Sequence, residues 1–419
     1  MKLIVLAPHF APDPAPTGEV ITRIVHELAA LGHELHVVTA LPWYVHHAVE
    51  PAWRGRLVRR ETTPWGSITR VHPFPSDKTS VPRRAISFAA FCGLAGLAAV
   101  PGGRADGVLA MSPPLPLGLV GWAASVVHRS PFVFNVQDIF PDVAVRLGKL
   151  TNRRVIAASE WLERTTYGLA GAVTVLSDDL RANVSAKVDR ARRDHVRVIP
   201  NFVDTGFIQP RDRRTAYRQE LGIDEDATVV LYAGNVGFSQ SLDLVIGAAR
   251  SLHQRDDVVF LINGGGSALP AVRASAAKLP NVRFAPYQPK GRLAEVLATG
   301  DIHVVPLRTG LASSSVPSKT YSSLAAGRPL LAAVDEGTEV ARVVADAACG
   351  RAVPPDDAVA FEAALAALLD DRPGREAMGR RGRTWVERWA SPSAVARSYE
   401  ALFVEIGVAR RGRGRSARS

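Results

Sequence analysis

The chain has 419 residues, 47% hydrophobic and 22% charged, with 51 basic against 40 acidic residues and a net charge of +11. That length exceeds a single core and predicts two domains, and the ordinary composition excludes a largely disordered chain. The positive charge favours phosphate-bearing partners without choosing among nucleic acid, lipid headgroups and phosphorylated small molecules, and the two distant cysteines, Cys92 and Cys349, support neither a disulfide framework nor a zinc site and fit a reducing compartment.

The first element, "KLIVLA" (2–7), reads as a strand, and its apolar run ends at Pro8, too soon for a signal peptide. A proline-rich loop follows, and Thr17-Gly18 opens a helix whose apolar positions 20, 21, 24, 25, 28 and 31 share one face before Gly32 stops it. Free N–H groups at that helix start can hold an anion, or Thr17 can serve as an N-cap; no G-x-G-x-x-G is present. Strands are predicted at 34–40, 67–73, 107–111, 131–136, 172–177 and 195–200. The uncharged stretch 85–100, flanked by Arg83, Arg84 and Arg104, falls short of the roughly 20 residues a spanning helix needs. It reads as a packed helix or one resting on a membrane surface. Pro113, Pro114 and Pro116 divide the apolar 107–127 into strand, turn and helix. Just past the strand at 131–136 stands Asp138, placed to act as a general base, to orient a hydroxyl or to cap the next segment.

Residues 200–227, rich in prolines and charges, read as a linker, after which strands at 228–234, 258–264, 281–287, 301–307 and 329–334 alternate with helices. Such alternation means parallel sheets covered on both faces, here in two α/β domains facing each other across a cleft. Three loops aimed at one cleft point to a phosphorylated ligand, the one before the helix at Thr17-Gly18, the turn "YAGNVGFSQS" with Asn235, Gly237 and Gln240, and the glycines Gly264 to Gly266; a fourth candidate is "RTGLASSSVPSKTYSS". In the last, Arg308 follows a strand, serines occupy 313–315, and Lys319 lies in the first turn of a helix. A cation there opposes the helix dipole, which points to an anion held by the ammonium and backbone N–H groups together. Helices are expected near 337–346, 356–370, 373–389 and 392–407, and the arginine-rich 408–419 reads as a basic disordered tail. No metal-ligand spacing or hydrolase motif appears.

The N-terminal "GEVITRIVHELAALGHELHVVT", "IPNFVD" at 199–204, "YAGNVG" at 232–237 and "VPSKTYSSLAAGRPLLAAVDEGTEVARVV" at 316–344 together resemble the retaining glycosyltransferases of family 4, with the GT-B fold. The likeness is to the bacterial exopolysaccharide branch, of the colanic-acid and O-antigen type. It implies an acceptor domain over 1–200, a nucleotide-sugar donor domain over 201–390, and a terminal helix at 391–407 that crosses back to the first domain.

The resemblance implies sugar transfer from a nucleotide-diphosphate donor, UDP- or GDP-linked, to a saccharide or polyprenyl-diphosphate-linked acceptor, with retention and without a required metal or cofactor. It assigns Lys319, Arg308 and Asp138 to catalysis and Gly18, Asn235, Gly237, Gln240, Gly264, Gly265, Ser318 and Glu339 to the donor, with Thr17 and His9 on the acceptor. A cytoplasmic enzyme, with possible contact at the inner face of an anionic membrane and no nucleic-acid partner, is expected. Asn235 and Gln240 stand where many members carry Arg and Lys, Ser314 and Ser322 where they carry glutamates, and Gln137 where they carry histidine. The competing readings are a nucleotide-sugar epimerase or hydrolase on the same fold, and a basic nucleic-acid or membrane binding protein without catalysis.

Overall fold

The computed structural model describes residues 1–75, 81–100, 103–142, 145, 150–310 and 318–416, without the side chains of 81–85, 318 and 409–416. Its contacts divide into one unit of Met1–Asn201 with Pro392–Ser419 and a second of Phe202–Ser391.

The first unit runs β1 (Lys2–Leu6), α1 (Pro16–Ala30), β2 (Glu34–Ala40), β3 (Val58–Thr63), β4 (Gly66–Val71), α2 (Val81–Ala99) and β5 (Gly107–Ser112). It continues with α3 (Leu117–His128), β6 (Phe132–Val136), α4 (Arg153–Leu169), β7 (Ala172–Val175), α5 (Asp178–Lys187) and β8 (Val196–Val198). The strands form one sheet in the order β3-β4-β2-β1-β5-β6-β7-β8, parallel except for β3, which pairs antiparallel with β4. β5 and β6 are buried along their whole length, as strands covered on both faces must be. The sequence reading missed β3: "VRRETT" is a polar, half-exposed edge strand with no apolar run to announce it. The start of α1 also differs from expectation. Pro16 occupies its first turn, the N-cap is Ala15 with no side-chain bond, and Thr17 is therefore inside the helix and caps nothing. The anticipated stripe of Ile21, Ile24, Val25 and Leu28 is buried.

The second unit comprises α6 (Ala216–Glu220), β9 (Thr228–Ala233), α7 (Leu242–Ser251), β10 (Val258–Asn263), α8 (Leu269–Ser275), β11 (Val282–Ala285) and α9 (Leu293–Thr299). Then come β12 (Ile302–Pro306), α10 (Ser318–Ala325), β13 (Leu330–Ala333), α11 (Glu339–Asp346), β14 (Gly350–Val353), α12 (Ala358–Asp370) and α13 (Arg372–Trp389). Its six strands, all parallel, are ordered β11-β10-β9-β12-β13-β14. β14 escaped the sequence reading because "GRAV" is short and half-exposed at an edge. In both units consecutive strands carry their loops out at the same end of the sheet, which is where parallel sheets bind ligands.

The last helix, α14 (Pro392–Ser416), packs on α1 in the first unit. Tyr399 buries its hydroxyl 2.8 Å from Asn135 Nδ2 on β6, and Phe403 lies so close to Gly107 that a Cβ there would come within 2.7 Å of its ring. Where a disordered tail was expected from 408, the backbone stays helical to Ser416. Arginine is a good helix former, and two isolated glycines do not outweigh the turns already built.

Candidate active site

In the second unit the carboxyl ends of β9, β10 and β11 are laced together through their turns. The Gly234 N–H donates to Asn263 O at 2.8 Å, Gly264 N–H to Ala285 O at 2.8 Å and Val236 N–H to Gly265 O at 2.8 Å. Gly264, at φ +149°, runs so close to its neighbour that a Cβ would fall 2.0 Å from Gly234 O. A Cβ on Gly234, at φ +136°, would lie 2.3 Å from Lys319 Cε. Both positions require glycine, and the space left at Gly234 is filled by the Lys319 stem.

Lys319, in the first turn of α10, donates to Tyr232 Oη at 2.5 Å and lies 3.4 Å from Asn235 O. Its ammonium is also 4.3 Å from the Tyr232 ring centroid, within cation–π range. The Tyr232 hydroxyl in turn donates to Asn235 O. Among the described residues no carboxylate pairs with Lys319, and burial lowers its pKa from 10.5 to about 8. A cavity of about 150 Å³ opens here, lined among others by Gly234, Asn263, Tyr287, Gln288, Lys319 and Ser322. Its apolar side includes His303, whose Nδ1 lies 2.7 Å from Ser323 Oγ and whose Nε2 lies 2.9 Å from Leu297 O. Complete burial pushes that imidazole down to about 3, so it is neutral and structural. A partly desolvated ammonium at a helix start, with no carboxylate partner among the described residues, is a place where an anion would be favoured.

The structure distributes the other expected donor residues unevenly. Gly264, Gly265 and Asn235 stand in the laced turns, Gly265 facing the Tyr287 ring. Gln240 turns its Oε1 back to the Gly237 N–H at 2.9 Å and so braces its own loop. Arg308 is the largest departure from expectation. It bonds Asp243 at 2.8 Å, stands 3.6 Å from Asp356 and donates to Phe238 O at 3.1 Å, and it does not line the cavity. Two carboxylates at the end of β12 claim its charge. Glu339 begins α11 and pairs with Arg342 at 3.3 Å. The backbone of Ser318 starts α10, whereas the serines at 313–315 lie outside the described residues. Reading the sequence missed Tyr232, which bonds Lys319, and Tyr287, Gln288 and Asn263, which line the cavity; Ser322, noted there only as a replacement for a glutamate, also lines it. The signal for Ser322 and Ser323 was present, since they follow Lys319 by three and four positions on one helix face.

In the first unit, His9 on the loop after β1 places Nδ1 2.6 Å from Asp13 Oδ2. The Tyr44 N–H donates to the other Asp13 oxygen at 3.0 Å, and the His9 ring stacks on Trp43 with centroids 5.5 Å apart. Gly18 is buried against this group, where a Cβ would come within 2.9 Å of His9 Cβ; Thr17 makes the adjoining turn of α1. Asp138 reaches solvent after β6, yet desolvation by the protein around it raises its carboxyl above the ordinary range. Its neighbour Gln137 is locked inside, donating to Asn135 at 2.7 Å and accepting from Asn201 at 2.9 Å. Among the described residues no cluster of His, Cys, Asp or Glu is placed to hold a metal ion.

Comparison with known proteins agrees with this architecture. WcaI of Escherichia coli, a glycosyl transferase named for colanic acid biosynthesis, is 27% identical over 355 residues, 82% of this chain and 86% of that one. Sucrose-phosphate synthase from Thermosynechococcus elongatus superposes with a TM-score of 0.65 at 17% identity, over 98% and 100% of the two chains. HepE of Anabaena, solved with UDP-glucose, gives 0.61 at 14% identity over 97% and 100%; both structural likenesses establish the GT-B fold. Residues 17–201 match the glycosyl transferase 4-like domain and residues 213–385 the group 1 glycosyl transferases. Matched in order across both of its units, the chain belongs to the group 1 glycosyltransferases.

Proposed function

We propose that the protein transfers a sugar from a nucleoside-diphosphate donor to a hydroxyl of a saccharide or lipid-linked acceptor, with retention of configuration, in the assembly of a bacterial polysaccharide. The observation that carries this reading is Lys319: a half-buried ammonium at a helix start with no carboxylate partner among the described residues, in a cavity lined also by Gly234, Asn263 and Tyr287. Support for the donor class comes from the UDP-glucose complex of HepE, and for the pathway class from the naming of WcaI.

Breaking the sugar–phosphate bond leaves a diphosphate whose charge grows in the transition state. The Lys319 ammonium and the start of α10 act on that charge where it develops, so the reaction does not require a metal. The acceptor hydroxyl approaches on the face the diphosphate leaves and passes its proton to the departing oxygen. In this reading Asn235 and the turn glycines hold the donor, and Asp138, His9 and Thr17 orient the acceptor. Arg308 contributes by bracing the 238–243 loop through Asp243.

Incubation with a panel of UDP- and GDP-sugars, with and without oligosaccharide or polyprenyl-diphosphate acceptors and with chelator present, tests the proposal. Acceptor-dependent release of nucleotide and an unchanged anomeric configuration are expected. Conversion of the sugar nucleotide without acceptor would replace it with an epimerase or hydrolase.

A further inference from the structure

The loop leaving β2 carries Trp43, Tyr44, His46 and His47 within five residues. Three of them close on His9, from the loop after β1. His9 stacks on Trp43 with centroids 5.5 Å apart, and Trp43 meets His47 at 6.5 Å. His47 in turn meets Tyr44 at 6.4 Å, and Tyr44 meets His9 edge-on at 5.4 Å, so each ring touches two others. β1 and β2 are neighbouring parallel strands, which sends both loops out at the carboxyl end of the sheet.

The cluster is fixed from within and open to solvent. Asp13, only 3% exposed, uses one carboxylate oxygen on His9 Nδ1 and the other on the Tyr44 N–H. The Glu50 N–H closes the base of the loop on Pro42 O at 2.9 Å. Tyr44 nevertheless stays 39% exposed, and His47 is exposed beside it. Rings held in place yet left wet contribute little burial to the fold, and their fixed geometry suits contact with a ligand.

Charge narrows the class of that ligand. Glu50 is the one charged side chain between 41 and 50, and the nearest cation in sequence, Arg54, donates to Val49 O at 3.1 Å. With Asp13 beneath His9, the local carboxylates disfavour nucleic acid and lipid phosphates, which call for clustered lysine and arginine. A neutral sugar chain fits. The C–H face of a pyranose is attracted to the negative face of an aromatic ring, and its hydroxyls can bond the Tyr44 hydroxyl and the imidazole nitrogens.

We propose that His9, Trp43, Tyr44 and His47 form a platform for a neutral saccharide, which holds sugar units of the acceptor chain. The name acceptor rests on the transferase reading; the saccharide site itself rests on the rings. Because the platform is several rings wide, its affinity should rise with the length of the sugar chain.

The test is calorimetry of the full chain, without donor, against neutral gluco-, galacto- and manno-oligosaccharides of two to six units. Binding that tightens with chain length is expected for at least one series. The variant Tyr44→Ala/His47→Asn is expected to weaken it ~10-fold or more with an unchanged melting temperature. Asparagine tolerates the left-handed backbone of position 47, at φ +51°. UDP and GDP titrated into the same samples keep the two readings apart. Absence of oligosaccharide binding by the wild type, or equal binding by the variant, would overturn the platform whether or not nucleotide binds. Tighter binding of phosphorylated than of neutral oligosaccharides would overturn its assignment to neutral sugars. Failure of both nucleotides to bind, with oligosaccharide binding intact, would count against the transferase reading and leave the saccharide site standing.

Discussion

Lys319 combines two costs that a folded protein ordinarily avoids, a desolvated charge and a cation at the positive end of a helix. Its pKa of about 8 lies below the unfolded 10.5. Between those values the unfolded chain holds more protons, so stability rises with pH there, and below about 8 the burial cost is fully present. Lys319→Met is therefore expected to leave the melting temperature unchanged or raised while slowing transfer about 100-fold or more. In the wild type, affinity for a nucleoside diphosphate should fall as pH rises through about 8, because only the ammonium attracts the phosphates; titration calorimetry across that range checks it. Gly234→Ala confronts the same stem from the other side. With φ at +136° and Lys319 Cε 2.3 Å from the new Cβ, it is expected to cost about 1–3 kcal/mol by chemical denaturation and to abolish nucleotide binding. At this scale the lysine was legible in the sequence, because its placement broke a local rule. Tyr232 was not. Its role depends on β9 delivering it beneath a helix that starts 86 residues later, and no local pattern encodes that distance.

Among the elements, the segment leaving β6 is held by an ionic knot. Glu163, fully buried on α4, accepts from Lys187 at 2.8 Å and from Tyr167 at 3.0 Å, and the same ammonium reaches Asp142 at 2.8 Å. α4, α5 and the stretch just after Asp138 are thereby fixed to one another. Removing Lys187 would strand a buried carboxylate that desolvation already pushes upward in pKa. Lys187→Met is expected to destabilise the protein by about 3–5 kcal/mol in a denaturant titration, with Glu163→Gln/Lys187→Met recovering much of that loss. Strand–helix alternation made most elements readable, because buried parallel strands are apolar runs. β3 and β14 were hidden for the opposite reason, as edge strands need little apolar surface.

For the molecule as a whole, the return of α14 is the most consequential feature. Leaving the second unit at Pro392, it completes the first by covering α1 and the Asn135–Tyr399 network. Tyr399→Phe should cost about 1 kcal/mol and Phe403→Ala about 3–5 kcal/mol, read as lower melting transitions. The first is small because the hydroxyl gives up one short bond to Asn135 and a long one to Thr174, the second larger because a cavity opens beside Gly107.

Two α/β units, their boundaries within a few residues, the glycine turns and Lys319 follow from the chain itself, since periodicity, turn chemistry and dipole conflict are local properties. Three things required the folded chain. Arg308 has the right charge in the right stretch, but Asp243 and Asp356, distant in sequence, neutralise it. Tyr232 and Gly234 meet the Lys319 stem beside the cavity only when the strand ends and the start of α10 come together. The apolar run at 85–100 has no polar stripe to say which side faces inward; the packing of α2 on the sheet decides it, burying Phe91, Cys92, Ala95 and Ala98 and leaving Ile86 and Leu97 exposed.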